Sequence, residues 1–220
     1  MLSYIIELLG TPCDRDRFFA YVRACTAEGS PGYRLVSDSY NVSKDAHHGQ
    51  FRDSGERYFD HAKAVALIMM VYLRIREPNA LAAGLTHDCP EDCKRFPVSR
   101  IRQELGNEVA YRVDWGNKRR FDHIPSKEER LRRYHMSLLF DAPREVAEWK
   151  LPDRLHNILT LWLWTPEEIA RKVRETEDFY LPLAEKHGIL IHELEEALAA
   201  LKRGEHLLPP PPNGRQLVQS

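Results

Sequence analysis

Four ionisable side chains fall within one short segment of this sequence, residues 87–92 (HDCPED). If a helix continues through the segment, His87 lies near Glu91 and Asp88 near Asp92, because residues four apart share a helix face. The intervening proline allows a second arrangement, in which one helix ends with the first pair and another begins with the second pair. In both arrangements an imidazole and three carboxylates converge, so this segment is the first candidate site.

A second polar pair interrupts an apolar pattern near residue 155. Asp153 and Asn157 lie one helical turn apart within residues 150–164 (KLPDRLHNILTLWLW). An aspartate inside such a helix is costly to bury unless it is paired, protonated or bound to a metal ion. The alternative to a metal ligand is a salt bridge from Asp153 to Arg154 or to another helix.

A third polar segment, residues 46–61 (AHHGQFRDSGERYFDH), joins two predicted helices. His61 stands at the start of an apolar helix and is the best-placed metal ligand of its three histidines. The structural alternative for His47 and His48 is that they lie at a packed or exposed helix end.

Imidazole and carboxylate ligands together suit a divalent ion such as Mn²⁺, Fe²⁺ or Zn²⁺. Such an ion makes bound water nucleophilic near neutral pH and polarises a phosphoryl oxygen, so the predicted reaction is phosphoester hydrolysis. Glu91 and Asp92 are candidates to orient or deprotonate the water and to handle the proton of the leaving group.

The elements that must position these residues are helices, because apolar residues recur mostly at helical spacing and sustained strand-like alternation is lacking. The sequence therefore predicts an all-α fold. Only Met1–Leu9 is ambiguous between a short helix and an edge strand. Helices are expected at residues 12–26, 33–48, 60–74, 78–88, 97–105, 107–115, 126–141, 143–159, 166–187 and 189–203.

Length and composition predict one domain, residues 1–204, followed by a proline-rich tail, residues 205–220, that includes Pro209–Pro212. A net charge of −1 disfavours nucleic acid as a partner. No apolar run reaches the roughly 20 residues of a membrane span, and the first residues lack a secretion signal. We therefore expect a cytoplasmic protein with reduced cysteines, whose oligomeric state the sequence does not indicate.

Several motifs in one order resemble the hydrolase domain of the RelA/SpoT homologues, especially the stand-alone small alarmone hydrolases. The resemblance runs over about residues 33–200 and implies an HD-domain helical bundle. It also implies removal of the 3′-pyrophosphate from ppGpp or pppGpp with Mn²⁺, or another divalent ion, as cofactor. The matching strings are AHHGQFRDSGERYFDH, LTHDCPED, LGNEVAYRVDWGNK, KLPDRLHNILTL and RETEDFYLPLAEKHGI.

The resemblance assigns roles by position. It implies that His61, His87, Asp88 and Asp153 are metal ligands and that Glu91 and Asp92 are the catalytic acidic pair. Six further residues are expected to contact the nucleotide. The alternative role for each is that of a surface charge or a helix-end hydrogen bond. These expected contacts are Arg52, Ser54, Lys118, Asn157, Thr160 and Tyr180.

Four positions depart from the usual pattern of this family. Asp53 replaces a basic residue, Ala62 a proline, Pro152 an alanine and Leu159 an arginine. A lost cation or an added carboxylate near a polyanion weakens its binding. Two alternatives to ppGpp hydrolysis follow. One is an HD hydrolase of another phosphorylated nucleotide, such as (p)ppApp, a dNTP or NADPH, and the other is a catalytically silent alarmone sensor.

Overall fold

The computed structural model describes residues 1–53, 55–208 and 210, and these residues fold almost entirely into helices. Their β structure is one isolated antiparallel bridge between Phe51 and Arg57. The predicted all-α fold is confirmed. The helices are α1 (Leu2–Gly10), α2 (Arg15–Cys25), α3 (Pro31–Ala46), α4 (Tyr58–Leu67), α5 (Pro78–Thr86), α6 (Cys89–Asp92), α7 (Val98–Leu105), α8 (Asn107–Gly116), α9 (Lys127–Met136), α10 (Arg144–Leu159), α11 (Pro166–Glu175), α12 (Leu181–His187) and α13 (Ile191–Lys202).

Three of the helices do not end at their last α-helical residue but continue into a π-helical turn. These turns are Ile68–Tyr72 after α4, Ser137–Asp141 after α9 and Thr176–Tyr180 after α11. The predicted helices 60–74, 126–141 and 166–187 include them. A short 3₁₀ helix, Lys118–Phe121, follows α8.

Two helix boundaries differ from the sequence prediction for local reasons. The helix predicted to begin at residue 12 begins at Arg15, because the Asp14 side chain caps it by accepting the Arg17 N–H. The helix predicted over 78–88 ends at Thr86, and a separate short helix, α6, begins after Asp88. Of the two arrangements that the HDCPED segment allowed, the chain adopts the one with two helices.

The apolar side chains form two buried clusters that meet along α10. Trp149 belongs to the cluster made largely by α2 to α5 and α8, whereas Leu151 and Leu155 belong to the cluster made with α1, α12 and α13. Asp153 lies on the same helix, so its surroundings are largely dehydrated. The four cysteines are free thiols.

The start of the predicted tail is held against the second apolar cluster. Leu208 is buried there, and the Trp162 Nε1–H donates to its carbonyl oxygen at 2.6 Å. Most of Pro209–Pro212 and all of residues 213–220 lie outside the described residues. Among the described residues, no helix is both long enough and apolar enough to cross a membrane.

Gly116 allows the largest buried side chain, Trp149, to lie against the end of α8. A Cβ atom at Gly116 would lie 2.0 Å from Trp149 Cη2. The Trp149 ring in turn packs 5.4 Å from the His87 ring, measured between centroids. Gly116 therefore leaves the room that Trp149 occupies, and Trp149 packs against His87.

Replacing Gly116 with alanine is expected to destabilise the protein by about 1–3 kcal/mol, because the indole must move within a filled core. The matched control is Gly10→Ala, since nothing lies within 4 Å of a Cβ atom there. Urea denaturation of both variants measures the difference. Equal stability of the two variants would contradict this account of Gly116.

Candidate metal centre

Three separate elements bring four candidate ligands to one place. His61 lies in the first turn of α4, and Asp153 lies in the second half of α10. His87 caps the C-terminus of α5, and Asp88 precedes the first residue of α6. The break between α5 and α6 places these two neighbours at the junction, where both side chains face the other two ligands.

The four side chains present a compact set of nitrogen and oxygen atoms. His61 Nε2 lies 3.2 Å from His87 Nε2, 3.5 Å from Asp88 Oδ2 and 3.2 Å from Asp153 Oδ1. His87 Nε2 lies 3.2 Å from Asp88 Oδ2 and 3.6 Å from Asp153 Oδ1. Ligands about 2.1 Å from one ion stand roughly 3.0–3.4 Å apart, which is close to these distances. The ligand atoms of His61, His87 and Asp88 all lie within 4.8 Å of one another, and Asp153 adjoins the two imidazoles, so the donor types and the spacing of this set suit a divalent metal ion.

The charges at this centre depend on one another. Burial alone would lower the pKa of His87, but Asp88 and Asp153 raise it to about 10. Burial opposes ionisation of these two carboxyls, yet the neighbouring cations hold the pKa of each well below its usual range. Without a metal ion, His87 therefore keeps its proton beside the two anionic carboxylates. A metal cation can take the place of that proton.

Asp153 has a buried cationic partner that sequence reasoning did not identify. Lys150 Nζ lies 2.8 Å from Asp153 Oδ2, while Asn157 Nδ2 donates to Asp153 Oδ1 at 2.6 Å. The alternative salt bridge to Arg154 does not form, since Arg154 pairs with Glu175 at 3.1 Å. Lys150 precedes Asp153 by three residues on one helix, and this spacing is the signal that could have identified it.

The acidic pair of α6 lies beside the ligand cluster. Glu91 accepts hydrogen bonds from the Lys118 backbone N–H at 2.7 Å and from Lys118 Nζ at 2.9 Å. Burial and the charge of Asp88 raise the pKa of Asp92 to about 6, although a hydrogen bond from Tyr58 lowers it in part. One carboxylate is thus fixed in position, while the other changes protonation close to neutral pH.

Three of the predicted nucleotide contacts line a cavity of about 210 Å³. One of them, Asn157, connects it to the cluster by donating to Asp153. Arg52 donates to Asn157, and its Nη1 lies 3.4 Å from Thr160 Oγ1. Tyr58 and Trp164 supply aromatic surface to the same cavity. The cavity therefore combines a cation with aromatic rings, as a nucleotide requires.

The other predicted nucleotide contacts are placed differently. Lys118 pairs with Glu91, and Tyr180 is buried with the Arg154 guanidinium 3.7 Å from its ring centroid. Ser54 lies outside the described residues. The nucleotide role of all six residues stays a prediction.

Comparison with known proteins agrees with this arrangement. Residues 39–190 match the HD domain family. Over 160 residues the chain is 34% identical to a Haemophilus influenzae protein named guanosine-3′,5′-bis(diphosphate) 3′-pyrophosphohydrolase, covering 70% of this chain and 23% of that protein. Over 169 residues it is 37% identical to the Escherichia coli bifunctional (p)ppGpp synthase/hydrolase SpoT, covering 74% and 23%. The chain thus spans about a quarter of the length of these relatives.

A solved structure shows the same fold. It is described as a metazoan orthologue of SpoT that hydrolyses ppGpp, and it superposes with a TM-score of 0.68 at 22% identity. The match covers 81% of this chain and 99% of the other. The HD-domain bundle and the family resemblance expected from the motifs are confirmed.

Proposed function

This chain belongs to the HD domain family, and we propose that it hydrolyses (p)ppGpp, adding water across the bond that holds the 3′-pyrophosphate. The products are GDP or GTP and pyrophosphate. The observation that carries the proposal is the convergence of His61, His87, Asp88 and Asp153 beside the Glu91–Asp92 pair. The names of the relatives supply the substrate. The proposal includes a cytoplasmic role in the stringent response.

The HD domain is a metal-dependent hydrolase fold, and we assign the metal to the four-ligand cluster. Mn²⁺ is the proposed ion, and the mixed imidazole and carboxylate donors also suit other divalent ions. When bound, such an ion supplies Lewis acidity toward a phosphoryl oxygen and lowers the pKa of a water molecule.

The acidic pair has the position and charge to orient the attacking water. Two donors of Lys118 hold the Glu91 carboxylate, which leaves it little rotational freedom. Asp92, with a pKa near 6, is mostly ionised at neutral pH and accepts a proton there. Below a pH of about 6, Asp92 is mostly protonated and cannot act as a base.

Nucleotide recognition is assigned to the cavity beside the cluster. Arg52 supplies the positive charge, and Asn157 links it to the ligand Asp153 by donating to that carboxylate at 2.6 Å. Thr160 lines the same cavity. A nucleotide held at Arg52 therefore has its phosphates beside the ligand cluster.

The test of this function is pyrophosphate release by the manganese-loaded protein from ppGpp and pppGpp, with Glu91→Gln as the control. We expect rapid release that depends on Glu91. The same assay with adenine analogues, dNTPs and NADPH covers the second candidate function. If only one of these other nucleotides is hydrolysed, the metal mechanism stands and that nucleotide, rather than ppGpp, is the substrate.

One structural observation favours that second candidate, hydrolysis of another phosphorylated nucleotide. Asp53, which stands where the family usually has a basic residue, lines the nucleotide cavity. A carboxylate there repels phosphate and selects for groups that donate hydrogen bonds. Leu159 contributes nothing to this argument, because it is buried in the second apolar cluster.

Metal affinity is expected to rise with pH. Below its pKa of about 10, His87 of the metal-free protein holds a proton that a metal ion must displace. Affinity then falls by up to about tenfold for each unit of decreasing pH. Calorimetric titration with Zn²⁺ between about pH 6 and 8, in buffers of different ionisation enthalpy, measures affinity and proton release together. Binding without proton release would contradict this description of His87.

A further inference from the structure

The nitrogen of His61 that points away from the ligand cluster contacts a second histidine. His61 Nε2 faces the other three ligands, whereas its Nδ1 lies 2.9 Å from His156 Nδ1. Both side chains are buried. One of the two facing nitrogens must donate and the other accept, so this contact constrains where each ring carries its proton.

A neighbouring cation favours the accepting role for His156 Nδ1 over the donating one. Arg52 Nη1 lies 3.5 Å from the same His156 Nδ1, and a guanidinium donates but never accepts. A lone pair at His156 Nδ1 therefore satisfies both neighbours. The His61 proton then lies on Nδ1, and its Nε2 lone pair faces the cluster. The proton of His156 lies on Nε2, which is 3.7 Å from Glu56 Oε1.

The two histidine ligands are supported in different ways. His87 Nδ1 lies 2.8 Å from the Gly84 carbonyl oxygen, within the same turn of chain. His61 instead relies on a side chain from α10, and that side chain faces a carboxylate from the segment before α4. The tautomer of His61 therefore depends on tertiary packing.

We propose that His156 is a positioning residue that holds His61 as an Nε2 ligand of the metal ion. The inference rests on the proposed metal site. It also links that site to the nucleotide cavity, because Glu56 accepts from Arg52 Nη1 at 3.2 Å. Groups that support a ligand histidine typically change metal affinity or activity 10–100-fold when removed.

The first test uses the unsubstituted chain, residues 1–220, loaded with Zn²⁺. Long-range ¹H–¹⁵N NMR spectra of the histidine rings report which nitrogen carries the proton. We expect His61 protonated on Nδ1 and His156 protonated on Nε2. A proton on His156 Nδ1 would overturn the proposal without any variant.

The second test measures Zn²⁺ affinity by calorimetry in two variants. His156→Phe keeps a ring but removes the acceptor, and we expect about 10–100-fold weaker binding. His156→Asn places an amide oxygen near the position of Nδ1, and we expect affinity within about threefold of the wild type. This rescue distinguishes an acceptor from a packing role, because asparagine fills the site less well than phenylalanine.

Two failures can be told apart. Wild-type affinity in His156→Phe would refute the positioning role while leaving the metal site intact. Absence of Zn²⁺ binding by the wild type would refute the metal site itself. If His156→Phe does not fold, the tautomers in the wild type still decide the question.

Discussion

Replacing Glu91 with glutamine is expected to lower the turnover of ppGpp by about 10²–10⁴-fold while leaving metal affinity within a small factor of the wild type. Glu91 lies outside the four-ligand cluster, and an amide oxygen can still accept the Lys118 backbone N–H that now lies 2.7 Å away. Only the negative charge and the ability to take a proton are lost. Pyrophosphate release and Zn²⁺ calorimetry on the same protein measure the two effects.

The Glu91 variant is also expected to fold normally. Its ion pair with Lys118 is partly exposed, and such pairs contribute about 0–1 kcal/mol. Glu104→Gln is the matched control, because it makes the same chemical change in a surface pair with Arg100. Full activity of Glu91→Gln would refute the catalytic role. A parallel loss of metal binding would place Glu91 among the ligands instead.

Replacing Asp153 with asparagine is expected to abolish metal binding and turnover and to destabilise the metal-free protein strongly. Asp153 lies 3.2 Å from His61 Nε2 through one oxygen and 2.8 Å from Lys150 Nζ through the other. Lys150 is buried, so the change leaves an ammonium without its counter-ion. Removing one partner of a buried pair typically costs about 3–5 kcal/mol.

A double variant separates the two roles of Asp153. Adding Lys150→Met removes the buried charge, and we expect most of the lost stability to return while metal binding stays absent. Asp88→Asn is the comparison, since Asp88 is more exposed and contacts the two histidines rather than a lysine. Urea denaturation in the presence of a chelator measures stability without the metal. Metal binding by Asp153→Asn would contradict its assignment as a ligand.

The fold class and most helix positions follow from the sequence alone. Helical spacing and capping residues are local properties, so the boundaries were wrong mainly where one local signal competed with another. The helix predicted to start at residue 12, for example, starts at Arg15, because the Asp14 side chain caps it. The residue types in HDCPED and the polar pair Asp153 and Asn157 indicated metal chemistry because such groups are costly to bury otherwise.

The contacts by which the candidate residues support one another depend on how the helices pack. His61 and His156 are 95 residues apart, and Glu91 and Lys118 are 27 apart, so no local pattern predicts either contact. The cavity proposed to bind the nucleotide likewise takes Arg52 from one segment and Thr160 from another. Helix propensity and periodicity describe which face of a helix is apolar. They leave open which polar atoms of different helices face each other, because packing of the whole core sets those distances.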